Sequence, residues 1–315
     1  MNVEQLIDDG EEALAEEKYE RAQRIAQKII DARHSYGFEL MARAFRAQEN
    51  FPRAIAVLQE GVAKAPRAWP LWMLLGEYCS DHGEYDKALL AYDTALGIEG
   101  VETDEVHLNA AIVHERAGRP EDALMRLHEV RGTDRDIAME AARVRAEILL
   151  ETERPDAAAA AAKAGLGRAD HETSAELIAP LHAAMAKAAF LKNDRDAALR
   201  HAWEAIEHDA DDTALWLIRE IEGEYSDDAK YFRILVNGRV PADRFDALES
   251  QGFWRKFDVV ADDEEEAMRF IARVEPPAFR EALRADEVDI TEAEPDQPKG
   301  VYWSSAHAFY KEGDE

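Results

Sequence analysis

Residues 72–96 read WMLLGEYCSDHGEYDKALLAYDTAL, and side chains of the same kinds stand 34 positions earlier in the chain. The positions of Trp72, Gly76, Ala88 and Tyr92 are occupied there by Phe38, Ala42, Ala54 and Leu58. A period of this length is typical of a solenoid, in which each repeat buries its apolar face by stacking on its neighbours. The sequence therefore predicts a binding scaffold built from repeated pairs of helices, without indicating what is bound.

The same period extends over most of the chain, with small residues recurring where two helices would approach each other closely. It predicts six repeats, at residues 3–36, 35–68, 69–102, 104–137, 139–172 and 179–212. Six extra residues, 173–178, interrupt the period before the last repeat. Residues 213–224 indicate one more helix without a partner, which would cover the exposed end of the array.

Repeats 2 and 3 resemble the tetratricopeptide repeat (TPR) family. Trp72, Leu75 and Gly76 stand at the family's Trp, Leu and Gly, and Cys79 replaces its usual Tyr. The positions of the family's Ala, aromatic and Ala are then held by Ala88, Tyr92 and Ala95. The resemblance implies an all-α TPR superhelix of about six helix-turn-helix repeats plus a capping helix, spanning residues 1–224.

In this family the first helix of each repeat lines a concave groove in which ligands lie. The resemblance assigns that groove to Tyr36, Glu39, Arg43, Arg46, Met73, Glu77, Asp81, Leu108, Ile112, Glu115, Arg116, Arg143, Glu147 and Glu151. Chaperone-binding members hold a C-terminal carboxylate with Lys, Arg and Asn side chains. Asn109 matches one of those positions, but Glu11 and Glu77 stand where another Asn is needed, which argues against that ligand.

The chain is strongly acidic, with 67 Asp and Glu against 38 Lys and Arg and a formal net charge of −29. Binding to nucleic acid or to an anionic membrane requires clustered Lys and Arg, so neither partner is expected. A basic protein or peptide is a favourable partner electrostatically. The acidity is equally explained by solubility or by adaptation to a salty cytoplasm.

The segments that would direct the chain out of the cytoplasm are not evident in the sequence. The N-terminus begins with an acidic helical pattern rather than a signal peptide, and no apolar stretch approaches the ~18 residues of a membrane span. The only cysteine, Cys79, excludes an intramolecular disulfide and is predicted to be an inert core residue. We expect a cytoplasmic protein of bacterial type.

Beyond about residue 225 the apolar pattern changes from a helical period to alternation. Strands are predicted at 231–238, 253–260, 287–291 and 301–303, with a helix starting near Asp262. The order β-β-α-β-β indicates a small α+β domain over residues 225–315. It resembles compact bacterial domains of uncharacterised role.

Two groups of histidines raise the question of a metal site. His107 and His114 lie seven residues apart, about 10.5 Å along a helix, too far to share one ion without a third element. His201, Glu204 and His208 share a helical face, but an ion pair explains that pattern equally well. The sequence predicts neither a metal nor a cofactor.

None of the common catalytic motifs occurs in the sequence, so it does not predict an enzyme. The favoured interpretation is a scaffold or adaptor that binds a basic or amphipathic segment of a partner in the groove. The alternative is a regulatory or immunity-type module whose C-terminal domain carries the activity while the repeats position or oligomerise it.

Overall fold

The computed structural model describes residues 2–239, 250–276, 279–280, 282–294 and 296–311. The chain divides into two compact units, Met1–Ile137 and Ala138–Glu315, called below the N-terminal unit and the C-terminal unit.

The N-terminal unit consists of helix pairs, as the repeats predict. Its helices are α1 (Val3–Ala15), α2 (Tyr19–Asp31), α3 (Tyr36–Ala47), α4 (Phe51–Lys64), α5 (Trp69–Asp81), α6 (Tyr85–Leu96), α7 (Thr103–Arg116) and α8 (Pro120–His128). The tight loop inside each pair contains one residue in the left-handed conformation. This residue is Gly83 in the third pair (φ 78°) and Gly118 in the fourth (φ 69°), where glycine adopts the conformation without strain.

The third repeat shows why small residues recur with the period. Ala88 and Cys79 are completely buried between α5 and α6. A Cβ atom added to Gly76 would lie 2.5 Å from Cε1 of Tyr92, so the ring packs directly on the α5 backbone. Burial raises the pKa of the Cys79 thiol to about 11, in keeping with the predicted inert core cysteine. Glycine and alanine thus set the spacing of the two helices, and the aromatic ring fills the remaining space.

The C-terminal unit combines five further helices with a sheet and a final helix. Its elements are α9 (Arg135–Glu151, which begins in the N-terminal unit), α10 (Pro155–Leu166), α11 (Ala175–Leu191), α12 (Arg195–His208), α13 (Asp212–Glu222), β1 (Lys230–Arg239), β2 (Ser250–Ala261), α14 (Glu264–Val274), β3 (Arg284–Glu292), β4 (Gly300–Ser304) and β5 (Ala308–Lys311). The predicted helix pairs are confirmed, and a further helix, α13, covers most of 213–224. The described residues after it form the order β-β-α-β-β-β, one strand more than the β-β-α-β-β order predicted. The short strand β5 was not predicted.

The sheet is antiparallel, with strand order β3-β1-β2-β4. β5 also pairs with β2, alongside residues 250–254, whereas β4 pairs with residues 257–260. Helix α14 begins where the side chain of Asp263 accepts a hydrogen bond from the backbone N–H of Glu266, as its acidic start predicts.

Helix α13 and the sheet share one hydrophobic core. Leu217 of α13, Phe232 of β1, Phe257 of β2 and Ile271 of α14 belong to a single cluster of buried side chains. Arg219 of α13 also donates a hydrogen bond to the backbone carbonyl of β4. The change of secondary structure near residue 225 therefore lies inside one packed core.

No helix among the described residues is long and apolar enough to cross a membrane.

Candidate functional site

The first helices of the four repeats in the N-terminal unit, α1, α3, α5 and α7, are called the inner helices below. An open cavity of about 900 Å³ in this unit is lined by Leu14, Ala15, Glu17, Tyr19, Arg43, Arg46, Ala47, Glu49, Phe51, Leu74, Glu77 and Tyr78. Its wall combines apolar and aromatic side chains with charged ones, a composition suited to an amphipathic ligand.

Asp81 of α5 links three successive inner helices. Its Oδ2 lies 3.0 Å from Nη2 of Arg46 on α3, and its Oδ1 lies 3.3 Å from Nη1 of Arg116 on α7. Arg116 also donates to the hydroxyl of Ser80 at 3.1 Å. Arg46 additionally lies 5.2 Å from the ring centre of Tyr78, within reach of a cation–π interaction. These contacts fix the relative positions of the charged side chains on α3, α5 and α7.

A second charged group joins α1 to α3. The two guanidinium nitrogens of Arg43 bind the two carboxylate oxygens of Glu11 at 2.7 and 3.1 Å, a bidentate pair. The hydroxyl of Tyr36 donates to the same carboxylate. Burial and the hydrogen bond to Glu11 raise the pKa of Tyr36, which keeps its hydroxyl protonated as a donor.

Three further carboxylates, called below the inner carboxylates, are those of Glu39 on α3, Glu77 on α5 and Glu105 on α7. Burial raises the pKa of each of them. Arg43 opposes the rise at Glu39, and Arg46, 3.5 Å away, opposes it at Glu77. The pKa values remain raised, so the neighbouring arginines do not fully offset the loss of hydration. The negative charge of these carboxylates is thus only partly compensated by the neighbouring side chains.

The other groove residues predicted on the N-terminal unit differ in exposure. Met73 and Leu108 are only 9% and 6% exposed and pack into the core, so they offer little surface to a ligand. Ile112 and Glu115 are half-buried, and Arg116 is exposed.

The predicted residues on α9 belong to the C-terminal unit. Arg143 pairs within its own helix, with Glu140 at 2.5 Å and Glu147 at 2.6 Å. Glu151 is exposed at the end of the helix.

Sequence reasoning missed Leu74 and Glu105 as members of this surface, and also missed the largely buried Tyr78 and Ser80, which contact Arg46 and Arg116. One signal in the sequence could have located the charged contacts. Arg46 and Asp81 are 35 positions apart, and so are Asp81 and Arg116, which is about one repeat. Opposite charges separated by about one period can face each other on adjacent repeats.

His107 and His114, which the sequence analysis considered as metal ligands, are half-buried on α7. Burial lowers the pKa of both, which favours the neutral ring expected at the edge of a core.

The C-terminal unit contains a buried ionic network. Arg255 is 2% exposed and binds Glu275, which is fully buried, at 3.1 Å. Nε2 of His307 lies 3.0 Å from the other oxygen of Glu275, and Arg255 also donates to the Ser304 hydroxyl and the Ser305 carbonyl. Because the central pair of Arg255 and Glu275 is buried, the network fastens β2 to β4 and to the segments that follow α14 and β4.

The family model for the tetratricopeptide repeat matches residues 39–100 and 108–172. Among solved structures, a chain of the APC/C hetero-tetramer Cut9–Hcn1 is similar with a TM-score of 0.50 and 14% identity, over 66% of this chain and 40% of that one. The structure of Pseudomonas aeruginosa pilF is similar with a TM-score of 0.50 and 16% identity, over 64% of this chain and 89% of that one. This chain therefore spans well under two thirds of its Cut9–Hcn1 counterpart, and at these identities both likenesses concern the fold.

No match was found among curated proteins. The helix pairs, their 34-residue period and the family match agree: residues 39–100 and 108–172 of this chain are helical repeats of the tetratricopeptide type.

Proposed function

We propose that this chain is a protein-interaction scaffold whose inner helices bind a basic or amphipathic segment of a partner protein. The observation that carries the proposal is the set of inner carboxylates, on three successive inner helices of a unit that also holds an open cavity of about 900 Å³.

The charges of this surface favour a cationic ligand. Five carboxylates, those of Glu11, Glu39, Glu77, Asp81 and Glu105, lie on the same helices as three guanidinium groups, those of Arg43, Arg46 and Arg116. A Lys or Arg side chain of the ligand, placed beside an inner carboxylate, would replace the hydration that the carboxylate loses on burial. Because the site is partly shielded from water, such a contact is stronger than one on an open surface.

The cavity supplies the apolar part of the interaction. Leu14, Leu74, Phe51 and Tyr78 line it next to Arg46 and Glu77. A helical or extended segment with apolar side chains on one side and Lys or Arg on the other matches this arrangement. The links made by Asp81 hold the surface in place before binding, which lowers the ordering cost of association.

The proposal includes three further points: a basic partner, a cytoplasmic setting, and contributions to binding from Arg143, Glu147 and Glu151. The peptide-binding experiment concerns the N-terminal unit.

A library of labelled basic, acidic and neutral peptides is titrated with the full chain, and binding is followed by fluorescence anisotropy. Three proteins are compared: the wild type, an inner variant with Glu39→Gln, Glu77→Gln and Glu105→Gln, and an outer variant. The outer variant carries Glu20→Gln, Glu60→Gln and Glu121→Gln on α2, α4 and α8, and so loses the same number of negative charges as the inner variant.

We expect the wild type and the outer variant to select the same basic peptides and the inner variant to bind them several-fold more weakly. Raising the salt concentration should also weaken wild-type binding, because charge attraction is screened beyond about 8 Å at physiological ionic strength. Equal affinities for the inner and outer variants would exclude the inner helices as the site.

A further inference from the structure

Three side chains of the C-terminal unit converge at the pair α11 and α12. They are His182 of α11 and His201 and Glu204 of α12, and their ligand atoms all lie within 4.8 Å of one another. Oε2 of Glu204 is 2.6 Å from Nδ1 of His201 and 3.0 Å from Nδ1 of His182. Two imidazoles and a carboxylate thus point to one place from two helices.

A third imidazole borders the group. The ring of His208, one helical turn beyond Glu204, stacks on that of His182 with their centres 6.0 Å apart. The sequence placed only His201, Glu204 and His208 on one face. The structure adds His182 from the neighbouring helix α11, so that three side chains from two helices surround the site.

The dimensions suit a small metal ion. Bonds from Zn²⁺ to histidine nitrogen or carboxylate oxygen are about 2.0–2.2 Å, so neighbouring ligands of a tetrahedral ion lie roughly 3.4 Å apart. The two N–O distances here are 3.0 and 2.6 Å, so a small rotation of the Glu204 side chain makes room for the ion. The side chains of His182 and His201 are 18% and 19% exposed, and that of Glu204 is 39% exposed, which leaves an entry path from solvent.

One of the three ligand atoms is not committed to a hydrogen bond. Nδ1 of His182 is buried and lacks a hydrogen bond of good geometry, so it remains available as a ligand atom.

We propose that His182, His201 and Glu204 bind a divalent transition-metal ion, Zn²⁺ by preference, with water or His208 completing the coordination. Imidazole and carboxylate together suit Zn²⁺, whereas Mg²⁺ and Ca²⁺ prefer shells of oxygen ligands. The bound ion would fasten α11 to α12, whose buried side chains share the core of α13 and the sheet.

The test uses the full chain without an affinity tag, stripped with a chelator and titrated with Zn²⁺ by calorimetry, with Mg²⁺ as the comparison ion. Glu204→Gln and His201→Gln each remove one ligand with little change in size. His171→Gln is the control, since that histidine side chain is 88% exposed in a loop. Circular dichroism verifies that each variant is folded.

We expect a tight one-to-one Zn²⁺ site in the wild type and the control, with affinity reduced at least ten-fold in each ligand variant and no comparable Mg²⁺ binding. Co²⁺ added to the wild type should give the intense visible bands of a four-coordinate site, a readout independent of the variants. Absence of a one-to-one Zn²⁺ site in the wild type, or its persistence with unchanged affinity in Glu204→Gln and His201→Gln, would overturn the proposal. The cluster would then be only a hydrogen-bonded ion pair.

Discussion

Replacing Asp104 with asparagine is expected to destabilise the N-terminal unit strongly, because this carboxylate holds the segment between α8 and α9. Asp104 is 5% exposed at the start of α7, the inner helix that also carries Glu105. Its Oδ1 accepts the backbone N–H of Arg131 at 2.9 Å. Its Oδ2 accepts the N–H of Gly132 at 2.8 Å and both the N–H and the hydroxyl of Thr133 at 3.2 Å.

The size of the destabilisation by Asp104→Asn follows from these four hydrogen bonds. In Asp104→Asn one carboxylate oxygen becomes an NH₂ group that cannot accept, and a buried donor left unpaired costs about 1–3 kcal/mol. The bonds to the remaining oxygen lose the assistance of the charge, which weakens each by about 1 kcal/mol. With the bond to Oδ1 lost and the three bonds to Oδ2 weakened, the expected loss in free energy of unfolding is about 4–6 kcal/mol. Asp86→Asn is the control, because Asp86 is 83% exposed with one surface ion pair, worth at most about 1 kcal/mol.

Acid pH gives this prediction a second readout. Burial acts to raise the pKa of Asp104, but the hydrogen bonds from the backbone of residues 131–133 outweigh it and the pKa is lowered. A lowered folded-state pKa contributes stability above the unfolded value near 3.8, and that stability is lost as the pH falls through the folded-state pKa. The difference between wild type and Asp104→Asn should therefore be largest at neutral pH and shrink below about pH 4.

Urea unfolding of wild type, Asp104→Asn and Asp86→Asn at several pH values supplies the measurement, with hydrogen exchange at residues 131–133 as a local probe. A loss below about 1 kcal/mol at neutral pH, or one independent of pH, would refute the reasoning about Asp104.

Three further substitutions or measurements test the packing. Ala88→Leu should cost about 1–3 kcal/mol in urea unfolding by overpacking the contact between α5 and α6, and unchanged stability would mean that this contact is looser than described. Glu275→Ala should cost about 3–5 kcal/mol in the same assay, because Arg255 stays buried with only the half-exposed Asp209, 3.6 Å away, as an ionic partner; a neutral effect would show that Asp209 or water compensates the arginine. Cys79, with its pKa raised to about 11 by burial, should react with a thiol reagent near neutral pH only after unfolding, and rapid reaction of the native protein would contradict its burial.

The repeat architecture could be predicted because its physical cause is local in the sequence. The close approach of α5 and α6 needs Gly76 and Ala88, and Tyr92 fills the space beside them, so the contact appears as a pattern of side-chain sizes. The strand β5 was missed because its place in the sheet depends on pairing with residues 250–254 of β2, far away in the sequence.

The candidate site could be predicted only in outline. Helical geometry placed Met73 and Leu108 on the groove side, but packing against neighbouring helices buries both. The ion pairs of Asp81 likewise depend on how successive repeats stack. These outcomes are set by contacts between repeats, which a single helical period does not encode.

The histidine cluster shows the same limit more clearly. His201 and Glu204 are three residues apart, and their proximity follows from the helix alone. His182 lies on a different helix, α11, which begins within the break in the repeat period at residues 173–178. Only the packing of α11 on α12 brings His182 to Glu204.

The most direct test of the central claim asks where a bound partner lies. A photo-reactive benzoylphenylalanine is placed at Leu74, which lines the cavity, or at Leu90, which is 66% exposed on the outer helix α6. Each protein is irradiated with the basic peptide selected from the library, and the cross-linked fraction is measured by mass spectrometry. The account predicts efficient cross-linking from position 74, loss of that product in the inner variant, and little from position 90. Equal cross-linking from both positions, or cross-linking from position 90 alone, would contradict binding along the inner helices.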